Sequence, residues 1–327
     1  MRLINVFLLL AILSALIAGC RLETAKPSSK QNLFLATDCL TIQDHILFKA
    51  FEKQSGIKVR ILHLSTDEIV AKLKSEGINT EIDCILLSSV VEMDRISKIK
   101  TLQKIAADSL PEVLGTKYIS EDRSWFGLGL DPYVIVSLGE YSKKIKDYSD
   151  LKSIDSWCTD LQSRKELFPF YSYVAHKIQP TSLISEEEWI DNFNAKKIKT
   201  LENEDTLMYS TVLFTKYSSI LTKVNNKLKV YKKGQVLFPN QRHGGVYYDM
   251  PCFAVVKQAR NFTNAMFFLD AIYTNLLNAK INRQLNTFPI SPDAALKGSY
   301  QTIRFKRYNR APIRLTYTYS DIQNILY

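Results

Sequence analysis

Val59-Arg60-Ile61-Leu62-His63-Leu64 runs into Ser65-Thr66-Asp67-Glu68, then Ile69, Val70, Leu73 and Gly77. Ile82-Asp83-Cys84-Ile85-Leu86-Leu87 follows and runs into Ser88-Ser89-Val90-Val91-Glu92. The two apolar runs have strand length, and the segment between them carries apolar residues at helical spacing. Ser65 and Glu68 form a capping box, in which each side chain satisfies the other residue's orphan backbone donor. Gly77 stops the helix. Ser89 and Glu92 repeat the box pattern at the next helix, which continues through Met93 and Ile96.

Upstream, Leu33-Phe34-Leu35-Ala36 is a short strand. A helix with Leu47, Ala50 and Phe51 on one face ends at Gly56. The order β-α-β-α-β-α predicts a parallel sheet covered by helices. Ligands in such sheets bind beyond the C-terminal strand edges, close to helix N-termini. Those edges carry Thr37-Asp38, Ser65-Thr66 and Ser88-Ser89. The serines serve as caps in any case, and Thr37, Asp38, Thr66, Ser88 and Ser89 are the candidate ligand contacts.

Further along, Trp125-Phe126-Gly127-Leu128 and Tyr133-Val134-Ile135-Val136 read as a strand crossing between lobes. Residues 137–238 read as a second α/β unit containing Phe170-Tyr171-Ser172-Tyr173. Val246 to Lys257 is strand-like again. An amphipathic helix from Asn261 buries Ala265, Phe268, Leu269 and Ile272. The tail from Arg304 is basic and rich in tyrosine.

The first twenty residues have a positive Arg2, an apolar run from Val6 to Ile17, and Leu16-Ile17-Ala18-Gly19-Cys20. The apolar run is short for a spanning helix. Its end resembles a bacterial lipobox, which implies lipidation of Cys20 and export of the chain. An ordinary secretory signal with a chance cysteine is the bland alternative. Residues 21–31 are polar and aperiodic, as a tether is. No second long apolar run follows. Net charge is +10, without a basic block of the kind that marks nucleic-acid binding. Cys39, Cys84, Cys158 and Cys252 show no metal-type spacing. In an exported chain, disulfides and buried free thiols both remain open for them.

Several segments together resemble the periplasmic solute-binding proteins of ABC importers, type II fold, in their ferric-iron-binding branch. They are Ala50-Phe51-Glu52-Lys53-Gln54-Ser55-Gly56-Ile57-Lys58-Val59, Leu73-Lys74-Ser75-Glu76-Gly77, Met93-Asp94-Arg95 and Trp125-Phe126-Gly127-Leu128. To these are added Phe238-Pro239-Asn240-Gln241 before Gly244-Gly245, Val255-Val256-Lys257-Gln258-Ala259-Arg260-Asn261, and Asn286-Thr287-Phe288-Pro289-Ile290. The resemblance spans residues 32–320. It implies a two-lobed α/β protein with mixed sheets flanked by helices, which closes by a hinge motion on a small solute and hands it to a membrane permease. The implied division is a signal peptide at 1–19, a tether at 20–31, lobe 1 at 32–133 and 239–285, lobe 2 at 134–238, and a C-terminal segment at 286–327 packing on lobe 2.

Ferric iron, the cargo that the resemblance implies, is a hard cation that takes oxygen donors. Its charge also lowers the pKa of a bound phenol. The branch carries an adjacent tyrosine pair in its second lobe. Aligned with Tyr209-Ser210-Thr211-Val212-Leu213-Phe214, that pair falls on Val212 and Leu213, which cannot ligate iron. Where relatives have an Arg-x-Arg that can hold an anion, this chain has Asp131-Pro132-Tyr133. Tyr133, Tyr171, Tyr173, Tyr209, Tyr247 and Tyr248, with Asp38 and Asp131, are the residues from which a hard-oxygen site can be rebuilt. Tyr133 and Tyr209 are the metal candidates. A polar organic or anionic solute is an equal alternative for the cleft.

Neither an HExxH pair nor a G-x-S-x-G elbow is present, and the sequence reads as a binder rather than an enzyme. The competing reading is a degenerate relative that senses a ligand or serves as a surface interaction lipoprotein without transport.

Overall fold

The computed structural model describes residues 32–106, 118–137, 141–154, 157–159, 197–200, 212–220, 235–242, 245–274 and 277–290. Within them twelve strands form two sheets. They are β1 (Asn32–Thr37), β2 (Lys58–His63), β3 (Cys84–Leu87), β4 (Phe126–Gly127), β5 (Gly129–Ser137) and β6 (Trp157–Thr159). Next come β7 (Lys197–Thr200), β8 (Val212–Lys216), β9 (Gln235–Leu237), β10 (Tyr248–Asp249), β11 (Cys252–Val255) and β12 (Phe288–Pro289).

The first sheet has the order β2-β1-β3-β11-β4. β1 pairs in parallel with β2 and β3, as the alternating pattern predicts. β11 is antiparallel to both β3 and β4, so the sheet is mixed, not parallel throughout. The cause is the path of the chain. It leaves this sheet through β4 into β5, and it returns through β10 into β11 running the opposite way. The second sheet has the order β10-β5-β8-β6-β7, with β9 and β12 also paired to β5. All nine residues of β5 are buried, as a strand hemmed by four others requires.

Three helices fill the links of the first sheet. α1 (Lys49–Ser55) ends at Gly56, whose φ of 75° is a left-handed conformation that glycine adopts without penalty. It is preceded by a 3-10 segment, Ile42–Phe48. The register of this region differs from the sequence reading. Phe48 and Phe51 face the core, whereas Ala50 is exposed. The two rings meet Phe268 edge-on, with centroids 5.5 and 5.1 Å away. Phe268 lies on α4 (Phe262–Thr274), where Ala265, Leu269 and Ile272 are also buried as expected.

α2 (Thr66–Glu76) starts with the predicted capping box. Ser65 Oγ accepts from the Glu68 amide and Glu68 Oε2 accepts from the Ser65 amide. α3 (Val90–Ser97) does not close the second predicted box. Ser89 Oγ accepts from the Val91 amide, but its proton goes to Asp249 Oδ1 at 3.1 Å, and the same oxygen takes the Val90 amide. A buried carboxylate on the return strand outcompetes Glu92, which turns to Arg95 at 3.5 Å.

Asp83 ties the layers together. Its Oδ2 accepts from the Phe34 amide of β1 and from Asn261 Nδ2, and its Oδ1 accepts from the Asn261 amide at the start of α4. At the crossover, α5 (Leu277–Gln284) sends the amides of Asn278 and Asn282 to the Leu128 carbonyl, and the Tyr273 hydroxyl donates to Gly127 O. Among the described residues Cys39, Cys84 and Cys252 are free thiols. The side chain of Cys158 lies outside the described residues. No helix of the described residues is long and apolar enough to cross a membrane.

Candidate functional site

The C-terminal ends of β1, β2 and β3 open onto a cavity of about 300 Å³. It is lined by Asp38, Ser65, Thr66, Asp67, Ser88, Ser89 and Glu92 from the first sheet and its helices, and by Lys216 from the end of β8. Strand ends deliver these residues because each apolar run stops where a helix cap begins.

Four residues singled out from the sequence meet here: Asp38, Thr66, Ser88 and Ser89. Asp38 accepts from both the amide and the hydroxyl of Ser88, at 2.9 Å each. Burial nevertheless pushes its carboxyl above the usual range. Thr37 is fully buried beneath the cavity, and its hydroxyl takes the Cys39 amide at 3.2 Å. It supports the loop and does not line the space.

Asp131 is 6% exposed and accepts from the Ser218 amide at 3.0 Å and the Ser218 hydroxyl at 2.7 Å. Desolvation raises its pKa to about 6, against the pull of Lys216 and Ser218, and the nearby Asp249 charge adds to the rise. Tyr133 is fully buried and stacked between Phe214 and Tyr247, with centroids 5.8 and 5.4 Å away. Its ring forms the floor under Lys216, whose ammonium lies 5.6 Å from the ring centroid. Tyr247 and Tyr248 are each 2% exposed. Tyr171, Tyr173, Tyr209 and Cys20 lie outside the described residues. Val212 and Leu213, aligned by resemblance with the tyrosine pair, sit inside β8 opposite Ser137 and Val136. The residue that β8 delivers to the cavity is Lys216.

Four contributors escaped the sequence reading: Asp67, Glu92, Lys216 and Asp249. Arg95 bridges the first two, at 2.5 Å from Asp67 and 3.5 Å from Glu92. Lys216 Nζ meets Asp249 Oδ2 at 2.8 Å, with the Asp249 side chain only 1% exposed. A signal for the last pair was present. Each is a lone charge ending an apolar strand-like run, Val212-Leu213-Phe214-Thr215 in one case and Val246-Tyr247-Tyr248 in the other. A charge in such a place requires a partner. The acids lining the cavity are spread along its wall. Among the described residues no group of three or more His, Cys, Asp or Glu side chains is placed to hold a metal ion.

Two mixed sheets joined by paired crossover strands, with a polar cavity at the strand ends, define a two-lobed periplasmic-binding-protein fold of type II. No family model matches the chain. It is 22% identical over 287 residues to iron uptake protein A1 of Synechocystis sp., covering 84% of this chain and 79% of that one. Among solved structures it is similar to the Trichodesmium IdiA/FutA protein in complex with iron and citrate ligands. That match has a TM-score of 0.76 and 18% identity, and covers 90% of this chain and 97% of the other. Ferric iron-binding protein A of Mannheimia haemolytica in an open conformation gives a TM-score of 0.76 and 16% identity, covering 90% and 96%. The resemblance read from the sequence is borne out by these likenesses.

Proposed function

We propose that this chain is an extracytoplasmic solute-binding protein that carries a small solute, with ferric iron as its cargo, to an ABC-type importer. The observation that carries the reading is the cavity, with one wall from the strand ends of the first sheet and Lys216 contributed by the second. Hinge closure of two such walls encloses a solute without changing it chemically. Hydroxyls of Ser65, Thr66, Ser88 and Ser89 and the carboxylate of Asp38 are hard-oxygen donors of the kind ferric iron takes, while Asp67 and Glu92 are paired with Arg95. The names of the similar proteins, which refer to iron uptake and ferric iron, support the cargo.

On the same reading Cys20 is acylated and residues 20–31 tether the chain to a bacterial membrane. The lobes are bounded at 32–133 with 239–285 and at 134–238, and 286–327 packs on the second lobe. Two measurements test this. A ligand that binds only the folded state raises the melting temperature, so ferric citrate is expected to raise it while magnesium citrate does not. Failure of ferric citrate, phosphate and small organic acids alike to move it rejects solute binding. For the anchor, Cys20→Ser is expected to move the protein from the membrane fraction to the soluble one.

A further inference from the structure

The edge of the first sheet remote from the cavity has a character of its own. The parallel strands β1, β2 and β3 begin there, and the six residues of β1 put about 20 Å between that edge and the cavity. Two of the four exposed large apolar side chains among the described residues belong to it, Ile78 at 69% exposure and Phe262 at 40%. The other two, Ile42 and Ile46, follow the opposite end of β1. Contacts of their neighbours draw Ile78 and Phe262 to one place. Arg260, two positions before Phe262, donates to the carbonyl of Asn79, the residue after Ile78. Asn264, two positions beyond Phe262, donates to the Asn32 carbonyl at 3.2 Å.

The surroundings are basic. Lys58, Lys257 and Arg260 are exposed and make no ion pair among the described residues. Lys58 stands in register with Asn32 at the start of β1, and Lys257 lies two residues past Val255, which is opposite the first residue of β3. The acids at this edge are already engaged. Glu76 and Glu81 meet Lys72, Glu52 takes the Val59 amide, and Asp83 takes the Phe34 and Asn261 amides. Apolar tips set among uncompensated cations suit an anionic bilayer, whose interface accepts the first and whose headgroups attract the second. The chain also leaves the fold here. On the anchoring reading, the eleven residues 21–31 join Asn32 to an acylated Cys20. As coil they span about 20 Å, and extended no more than about 40 Å, so the tether brings this edge, not the cavity, to the lipid.

We infer that this edge is a membrane foot: Ile78 and Phe262 enter the interface of an anionic bilayer, and Lys58, Lys257 and Arg260 meet its phosphate headgroups. The inference goes beyond solute binding and rests on the reading of Cys20 as the anchor. A tether makes the second contact intramolecular, so even a modest patch sets the orientation of the molecule. The cavity, at the far end of β1, then faces away from the lipid.

The test uses the full chain with Cys20→Ser, which lacks the acyl group. It measures co-sedimentation with vesicles of phosphatidylcholine alone and of phosphatidylcholine and phosphatidylglycerol in equal parts. Affinity is expected to be about tenfold or more higher for the anionic vesicles, because each cation near such a surface contributes about fivefold. In the same background Lys58→Gln/Lys257→Gln is expected to lower it by about tenfold or more, and Ile78→Ser/Phe262→Ser by about fivefold or more. Lys143→Gln/Lys146→Gln removes the same charge from exposed positions that follow β5, and is expected to change it by less than about twofold. An equal loss in that control shows attraction to diffuse charge and overturns the proposal, as does equal affinity for the two kinds of vesicle. A dimer that Ile78→Ser/Phe262→Ser dissolves also overturns it and makes the face an interface between copies. If Phe262→Ser lowers the melting temperature, Ile78→Ser alone takes the same measurement. A wild type recovered in the soluble fraction rejects the anchor itself. A membrane-bound wild type whose Cys20→Ser form ignores anionic vesicles rejects this inference alone.

Discussion

Asp131 and Asp249 stand directly opposite each other in the antiparallel ladder between β5 and β10. Like charges in that position repel, and among the described residues Lys216, from the next strand, draws on both. Burial, with the Asp249 charge adding to it, holds the proton on Asp131 up to about pH 6 in the folded protein, against an ordinary value of 3.8. Between those two values the native state binds a proton that the unfolded chain has already lost, so stability falls as pH rises through this window. The loss is about 3 kcal/mol above pH 6. Asp131→Asn cannot ionise and escapes it. Its amide oxygen keeps one of the two Ser218 hydrogen bonds, which leaves a constant penalty of about 1 kcal/mol. Melting curves from pH 4 to 7.5 are expected to show the variant gaining on the wild type as pH rises. A gap that does not change with pH contradicts the assignment.

Ser89→Ala tests the link between the return strand and α3. It removes the cap on the Val91 amide and one donor to Asp249, which retains the Val90 and Met250 amides and Lys216. The expected cost is about 1 kcal/mol, read by urea denaturation. A neutral result means that the serine hydroxyl does not hold Asp249 in solution.

The part of the fold that was legible in the sequence is the part governed by local rules. The Ser65–Glu68 box, the Gly56 stop and the apolar periods of β1, β2 and β3 are short-range features, and each formed where the residues predicted. The Ser89–Glu92 box failed because its competitor, Asp249, lies 160 positions away. No window on the sequence brings the two together. The site divided in the same way. Asp38, Thr66, Ser88 and Ser89 follow from the rule that strand ends carry ligands. Lys216 enters the cavity from the other sheet, three and four residues beyond Leu213 and Val212, where the resemblance places the tyrosine pair. The phenol of Tyr133 makes it a metal candidate by residue type. Its place on β5, between β8 and β10, buried it in an aromatic stack instead.

Asp83→Asn measures how much the carboxylate clamp on β1 and α4 contributes. Three donors converge on two oxygens: the Phe34 amide, the Asn261 amide and Asn261 Nδ2. A carboxamide offers one oxygen and turns an NH₂ toward at least one of those donors. With the site fully buried, an unsatisfied donor facing another costs about 1–3 kcal/mol. A loss of less than about 1 kcal/mol by denaturant titration indicates that the clamp relaxes around the amide and is not a rigid junction.

Gly129→Ala addresses the point where the chain leaves the first sheet. A Cβ at this position would run into the Asn282 side chain and come within 2.9 Å of Thr287 Oγ1. Neither can yield cheaply. Asn282 Nδ2 donates to Leu128 O at 2.9 Å and to Asn278, while Asn282 Oδ1 accepts from Thr287 Oγ1 at 2.7 Å. The methyl therefore breaks a buried polar network that fixes the crossover carbonyl, beyond the ordinary cost of overpacking. The expected destabilisation is about 1–3 kcal/mol from the overpacking alone, and more where Leu128 O loses its donors. Asn282→Ala in the same background makes room for the methyl. If the Asn282 contact is the cause, the double variant loses less stability than the two single changes added together. Strict additivity in that cycle would mean that the added methyl is felt elsewhere.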